Sequence, residues 1–211
     1  LPIGSASRVA VGDSVVFAGH GGRASAIATH IEEKREFAGY WEYLLDEALF
    51  TSPAHPFWGG GALIGPDGSL CGIGSLYVEE NRASGQTYDG NMIVPIDLLK
   101  PILQEIIEFG RRRRAARPWL GMTTAEAENH LVVAGIAEGG PAMRAGVEPG
   151  DMVLGVDGEE ISGLSTLFRK IWSLGDAGVM VPLTLHRDSQ VVSVSVESAA
   201  RADYLKKPRV N

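Results

Sequence analysis

Apolar residues change their spacing along this chain, and each change predicts a different element. Up to about residue 95 they fall in short β-branched or alternating runs broken by turn signals. Val9-Ala10-Val11 and Val15-Val16-Phe17-Ala18 flank Gly12-Asp13, which predicts two strands around a tight turn. Trp41, Tyr43 and Leu45 alternate with Glu42 and Leu44, a pattern that suits a half-buried strand. Gly65-Pro66-Asp67-Gly68 predicts a turn and the apolar run Leu70 to Leu76 a strand. After Pro95 the period becomes helical. Leu98, Leu99, Ile102, Leu103, Ile106 and Ile107 predict one amphipathic helix that stops at Phe109-Gly110. Pro101 fits that helix only near its first turn, where a missing amide costs little.

Residues 110 to 117 carry five arginines and read as a solvated helix end and hinge, with an anion or acidic-partner site as the alternative. From Trp119 a second domain is predicted. Its strands lie near 131–136, 152–157, 179–186 and 190–197, and its helix near 165–174. The segment after Ala200 is polar and is expected to be loosely ordered.

Composition narrows the function classes. With 211 residues and 45% hydrophobic content the chain can bury a real core and is expected to hold two domains. A formal charge of −7 argues against general attraction to nucleic-acid phosphates, and the cluster Arg111 to Arg114 is too short to reverse that. No apolar run approaches the roughly 18 residues of a membrane span, and no charged-then-apolar leader is present. The chain opens on Leu1, which reads as a processed or truncated piece of a longer protein. The single Cys71 excludes an internal disulfide, and its strand-like surroundings predict a buried structural thiol.

The segment His55-Pro56-Phe57-Trp58-Gly59-Gly60-Gly61-Ala62-Leu63-Ile64 resembles the nucleophile loop of HtrA-family trypsin-like serine proteases, usually GNSGGPLV. Gly60 and Gly61 match the paired glycines and Leu63 the first apolar strand residue. Gly59 then falls where the attacking hydroxyl should be. Further segments resemble the same family in the expected order. Leu1-Pro2-Ile3-Gly4 with Val11 to Val16 is similar to the start of the second protease barrel. Asn91 to Asp97 is similar to the strand-to-helix passage GFAIPID, and Arg117-Pro118-Trp119-Leu120-Gly121-Met122 to the RGWLGV that opens the first PDZ domain. Gly139-Gly140-Pro141-Ala142 with Ala145 to Asp151 is similar to GSPA..AGL.PGD. The resemblance implies a mainly β fold with some α: a trypsin-like second β-barrel followed by a helix, a linker and a PDZ domain. In these terms residues 1–109 are the second half of a protease domain, 110–117 the linker, 118–200 the PDZ domain and 201–211 a tail.

Three departures bear on chemistry. Gly59 has no side chain to attack a carbonyl, the approach from Asp46 to Pro56 differs from the family's short run, and the barrel that carries the catalytic histidine and aspartate would precede Leu1. His20, His30, His55, His130 and His186 do not occupy the position of the base, so no catalytic residue is assigned. His55 has no second ligand at a recognisable spacing; it is expected to pack in its loop or face solvent, and neither a metal nor a cofactor is expected. Phe57 and Trp58 stand beside Gly59 in this nucleophile-loop equivalent and are expected to cap or fill the former substrate cleft.

PDZ domains add an extended peptide to a sheet edge and capture its terminal carboxylate on backbone amides. The resemblance gives that role to Trp119, Leu120, Gly121 and Met122, where a glycine lets the backbone close around the anion. Leu164, Leu167, Ile171 and Leu174 recur at helical spacing. Phe168 and Ile171 fall where the family groove is lined, so either core packing or a pocket role is open to them. The leading reading is a non-catalytic HtrA-like chain that binds peptide or unfolded-protein carboxyl termini in a regulatory or quality-control role. A serine endopeptidase is the alternative that the family resemblance alone implies, and a purely structural docking role is a third. Peptides are the expected partners, with neither nucleic acid nor a membrane span, and the resemblance is compatible with a homo-oligomer. It also implies export or a periplasmic location, by analogy.

Overall fold

The computed structural model describes residues 1–81, 85–127 and 130–205. They form two compact units. One comprises Leu1–Phe37 and Leu45–Arg113, the other Ala38–Leu44 and the chain from Arg114 onward.

The first unit is a closed antiparallel barrel. Its strands are β1 (Ser14–Ala18), β2 (Ala26–Gly39), β3 (Tyr43–Ser52), β4 (Ala62–Ile64), β5 (Leu70–Asn81) and β6 (Thr87–Pro95), in the order β1-β2-β3-β6-β5-β4. Closure leaves no free sheet edge. Phe17, Ile31, Leu49, Leu63 and Ile93 point inward from five of the strands and share one core with Val15 and Cys71. The Cys71 thiol is free and buried, and burial pushes its pKa up, as an inert structural thiol requires.

Three sequence expectations for this unit are corrected. Val9–Val11 is not a strand. Ala6–Arg8 forms a 3-10 turn, and the Asp13 carboxylate accepts a 2.8 Å hydrogen bond from the Ala10 amide, so pairing begins only at Ser14. Trp41 lies in the turn between β2 and β3 rather than in the strand, which starts at Tyr43. The helix predicted from Leu98 is confined to α1 (Leu103–Phe109), after a separate 3-10 turn at Ile96–Leu98. Pro101 supplies the reason, because it donates no amide and disfavours helical backbone in the residue before it. Gly110, at φ 66, ends α1 as expected. The 14-residue strand β2 gave little sequence signal, since most of its charged residues interrupt any two-residue alternation.

The second unit is a sheet ordered β12-β11-β9-β8-β7, where β7 is Met122–Ala127, β8 His130–Ile136, β9 Met152–Val156, β11 Met180–Arg187 and β12 Gln190–Glu197; the short β10 (Glu159–Glu160) pairs with β9. Two helices complete it, α2 (Pro141–Arg144) and α3 (Leu164–Ser173). The core gathers Leu120, Leu131, Val156, Leu167, Leu183 and Val196, with Ala38 and Leu44 packed against it. Strands β8, β9, β11 and β12 and helix α3 fall where the periodicity put them. Asp151, 1% exposed, is clamped by Arg187 through Nε–Oδ1 and Nη2–Oδ2 contacts of 2.6 and 2.7 Å. The segment after Ala200 is more ordered than its polarity suggested. Arg201–Asp203 makes a 3-10 turn, and the Tyr204 ring packs on Trp119 at 4.8 Å. The rest of the predicted tail, from residue 206, lies outside the described residues.

Candidate functional site

Two glycine-containing loops are candidates, one in each unit. The nucleophile-loop equivalent is held from below by His55, which is 2% exposed. Its backbone amide donates to Asn91 Oδ1 at 2.6 Å, and its Nδ1 accepts from the Phe57 amide at 3.0 Å. Nδ1 therefore carries no proton, and Nε2–H donates to the Ser25 carbonyl. His55 is thus a loop-packing residue with both ring nitrogens committed, the first of the two states expected from sequence.

That arrangement also decides what the loop amides can do. Phe57 N–H is spent on His55, Gly60 N–H on the Gly74 carbonyl at 2.9 Å, and Gly61 N–H on the Trp58 carbonyl at 3.0 Å. A working oxyanion hole needs amides aimed at the reacting carbonyl, and these three point elsewhere. Gly59 itself is exposed, and a Cβ built on it meets nothing within 4 Å, so the position is open to a side chain and simply lacks one. Gly61 differs, because a Cβ there would strike the Phe17 ring at 2.3 Å. The two aromatics expected to cap the cleft lie differently. Trp58 packs against the barrel core, but Phe57 remains 63% exposed, since its amide tether to His55 fixes the backbone and leaves the ring outside.

The second loop runs from Trp119 to Met122 and leads into β7, the edge strand of the sheet. Trp119 exchanges 3.0 Å backbone hydrogen bonds with Ala199, which anchors the start of the loop. The Leu120 and Gly121 carbonyls are taken up by the Ala142 and Ala137 amides, at 2.8 and 2.7 Å. Gly121 sits at φ +74, and a Cβ there would lie 3.1 Å from the Trp119 ring and 3.2 Å from Pro141. Both the backbone angle and the crowding select glycine. The Glu42 carboxyl lies near enough to the Leu120 amide for that amide to favour its ionised form.

A cleft of about 360 Å3 opens at this loop, lined by Trp119, Gly121 and Met122 together with Trp41, Glu42 and Arg201 among others. The site residues named from sequence are therefore brought together in part. Trp119, Gly121 and Met122 line the cleft, and Leu120 is fully buried. Phe168 and Ile171, 3% and 4% exposed, belong to the core of the unit and are not among the lining residues. Phe168 stacks on Trp172 at 5.6 Å. The space between β7 and α3 is bridged at one end, where Glu126 Oε1 accepts from the Leu164 amide at 3.0 Å.

Sequence reasoning missed Glu42 and Arg201. Glu42 was read as the outward position of a strand, and Arg201 as part of a loose tail. A weak signal existed in Gly39-Tyr40-Trp41-Glu42-Tyr43, an acid set among three aromatics next to a glycine. Burial pushes the Glu42 pKa up to about 7, even though the Leu120 amide and the Arg201 charge both favour the ionised form. Among the described residues no group of three or more His, Cys, Asp and Glu side chains could hold a metal ion.

A trypsin-like barrel followed by a PDZ domain is the class of protein this arrangement defines. The PDZ domain family (PDZ_2) matches residues 118–197. The chain is 28% identical over 102 residues to the serine endoprotease DegS of Haemophilus influenzae, covering 48% of this chain and 29% of that protein. It is 23% identical over 157 residues to the serine protease Do-like HtrA of Bacillus subtilis, covering 65% and 33%. A solved structure of the HtrA-type protease AlgW with a decapeptide superposes with a TM-score of 0.58 at 26% identity, covering 94% of this chain and 63% of that one. The chain is an HtrA-like, PDZ-containing protein. It spans about a third of the length of these curated relatives.

Proposed function

We propose that this chain is a non-catalytic HtrA homologue whose PDZ domain binds peptide or protein carboxyl termini in a regulatory or quality-control role. The observation that carries the reading is the Trp119–Met122 loop itself, which opens on the cleft, leads into the edge strand β7 and holds Gly121 at φ +74. A terminal carboxylate would be received by the backbone amides of this loop, with Gly121 keeping the approach clear and the β7 edge pairing with the peptide backbone. Phe168 and Ile171 then act as the floor beneath the side-chain pocket rather than as its lining. The domain assignment of the sequence, with 1–109 as half of a protease domain, 110–117 as linker, 118–200 as PDZ domain and 201–211 as tail, is part of this proposal. So is an exported or periplasmic setting, by analogy with relatives named as periplasmic. Among the described residues no helix is long and apolar enough to cross a membrane.

The absence of catalysis follows from Gly59, which cannot form an acyl-enzyme, and from the committed amides around it. The relatives' names as serine endoproteases favour the alternative, an active endopeptidase. A fluorophosphonate probe separates the two: the pure chain is expected to remain unlabelled, and covalent labelling that blocks casein turnover would establish the enzyme. A peptide-display screen on the same chain is expected to return ligands with a shared apolar carboxyl-terminal pattern. Recovery of only internal or random sequences would remove the peptide-receptor reading.

A further inference from the structure

Helix α1 carries an apolar stripe and fully buries none of it. Leu103, Ile106, Ile107 and Phe109 fall on one side of its seven residues, and Gln104, Glu105 and Glu108 on the other. A surface helix with this pattern ordinarily lays its stripe on a core. Here Ile107 is 69% exposed, Phe109 50% and Ile106 38%, with Leu98 at 49% in the 3-10 turn before the helix. Single exposed apolar residues are ordinary on a protein surface, whereas several grouped on one short segment mark a contact. The chain then turns at Gly110 into Arg111, Arg112 and Arg113, all exposed. Two contacts fold this run back onto the helix. Glu105 Oε2 accepts from the Arg113 amide at 3.0 Å, and the Arg113 guanidinium lies 5.0 Å from the centre of the Phe109 ring, a cation held against an apolar face. The two carboxylates of α1 are engaged on its polar side, Glu105 by that amide and Glu108 by the Gln104 side chain. Among the described residues no carboxylate pairs with the guanidinium of Arg111 or Arg112.

We propose that α1 and the arginine run after it form a docking face for an anionic phospholipid bilayer. Charge complementarity and the apolar stripe together select that partner. A bilayer surface offers dense negative charge to Arg111, Arg112 and Arg113 and, just beneath it, hydrocarbon for Ile106, Ile107 and Phe109. An acidic polypeptide would satisfy the arginines and leave the apolar side chains in water. A second copy of the chain, placed face to face about a two-fold axis, would cover the apolar side chains but bring the two arginine runs together, where like charges repel. The chain as a whole carries a formal charge of −7, so an anionic surface repels most of it and attracts this end of the first unit. Arginine suits the headgroup level, because its guanidinium binds phosphate oxygens through two parallel hydrogen bonds. Docking of this kind is peripheral and reversible. It requires nothing of the Trp119–Met122 loop and adds a second point of attachment to peptide recognition there.

The test uses the full chain and flotation with phosphatidylcholine vesicles, made with or without about 30% phosphatidylglycerol. The natural chain is expected to float with the anionic vesicles, to stay behind with the neutral ones and to be released by about 0.5 M salt. Affinity is expected to fall at least about tenfold in Arg111→Gln/Arg112→Gln and about fivefold in Ile107→Gln, and to persist in Arg111→Lys/Arg112→Lys. These positions are exposed, so the thermal midpoint is expected to stay unchanged in every variant. An environment-sensitive fluorophore attached to Ile107→Cys is expected to shift to the blue on the anionic vesicles, with the buried Cys71 left unlabelled. No flotation, or equal flotation with both kinds of vesicle, would overturn the proposal. Binding that survives Ile107→Gln with an unshifted fluorophore would overturn the apolar face and leave charge attraction alone. A dimer that Ile107→Gln dissolves, with no vesicle bound, would give the face to a second copy. Capture of polyglutamate but not of vesicles would give it to an acidic polypeptide. Either result would overturn the bilayer.

Discussion

The loops around Gly59 and Gly121 use the same raw material to opposite ends. Each is a short glycine-containing turn that leads into or between strands, and each can present backbone amides to an oxygen. Around Gly59 the amides of Phe57, Gly60 and Gly61 close on His55, Gly74 and Trp58. At Gly121 the Leu120 and Gly121 carbonyls are the groups tied inside, and the loop opens on a cleft. The lesson is that glycine content does not make a binding loop. What matters is whether the donors or the acceptors are consumed by the scaffold, because a buried donor that already has a partner gains nothing from a ligand.

The comparison can be broken first at the supports. Asp151→Asn removes one partner of a buried ion pair and should cost the second unit about 3 kcal/mol or more, read by urea unfolding. The Arg187 hydrogen bonds hold the Asp151 carboxyl below the usual range. Its contribution is thus present above the unfolded pKa and is lost as pH falls through the folded one, so the natural chain should lose stability in acid more steeply than Asp151→Asn. A smaller effect, about 2 kcal/mol, is expected in the barrel for Asn91→Ala, which strips the His55 amide of its acceptor. Equal losses from both would mean the buried ion pair holds the second unit no more firmly than the Asn91–His55 contact holds the first.

The two glycines give the sharpest contrast. Gly121→Val forces a β-branched residue to φ +74 against Trp119 and should cost about 2 kcal/mol, with carboxyl-terminal peptide binding lost. Gly59→Ser meets open space and should leave stability within about 0.5 kcal/mol. It should also yield no hydrolysis of an activated ester above background, because His55, the histidine nearest in sequence, already has both ring nitrogens engaged. A burst of product from Gly59→Ser would show that the first loop retains catalytic geometry. The smallest effect is the pH slope at Glu42. With a folded pKa raised to about 7 from an ordinary 4.5, its contribution is fully present below about pH 4.5 and lost as pH rises through 7. The stability difference between the natural chain and Glu42→Gln should shrink in that direction, and a difference constant with pH would place the carboxyl in water.

Much of this was legible in the sequence. The helical stripe of Leu164, Leu167 and Ile171 and the β-branched runs at 180–187 and 190–197 act through local periodicity, so the elements they predict appear with boundaries shifted by a residue or two. Pro101 also announced a helix restriction, although its position relative to the first turn was misjudged and the helix begins only at Leu103. Strand β2 was obscured because a barrel strand with one wet face tolerates Glu32, Glu33, Lys34, Arg35 and Glu36, which erase the alternation without preventing pairing.

The sequence by itself therefore determined most of the elements and the order of the two units, since each depends on residues adjacent or periodically spaced along the chain. Only the tertiary structure decided which side chains line the cleft beside the Trp119–Met122 loop. Glu42 and Leu120 are 78 positions apart, and Arg201 lies 81 further on. Their proximity within the second unit depends on the segment Ala38–Leu44, which belongs to that unit, and on a tail turn anchored by the Trp119–Ala199 bridge. The energy of a buried carboxyl depends on its distance to a donor, a charge and water, and contacts of that range leave no local trace in the pattern of residues.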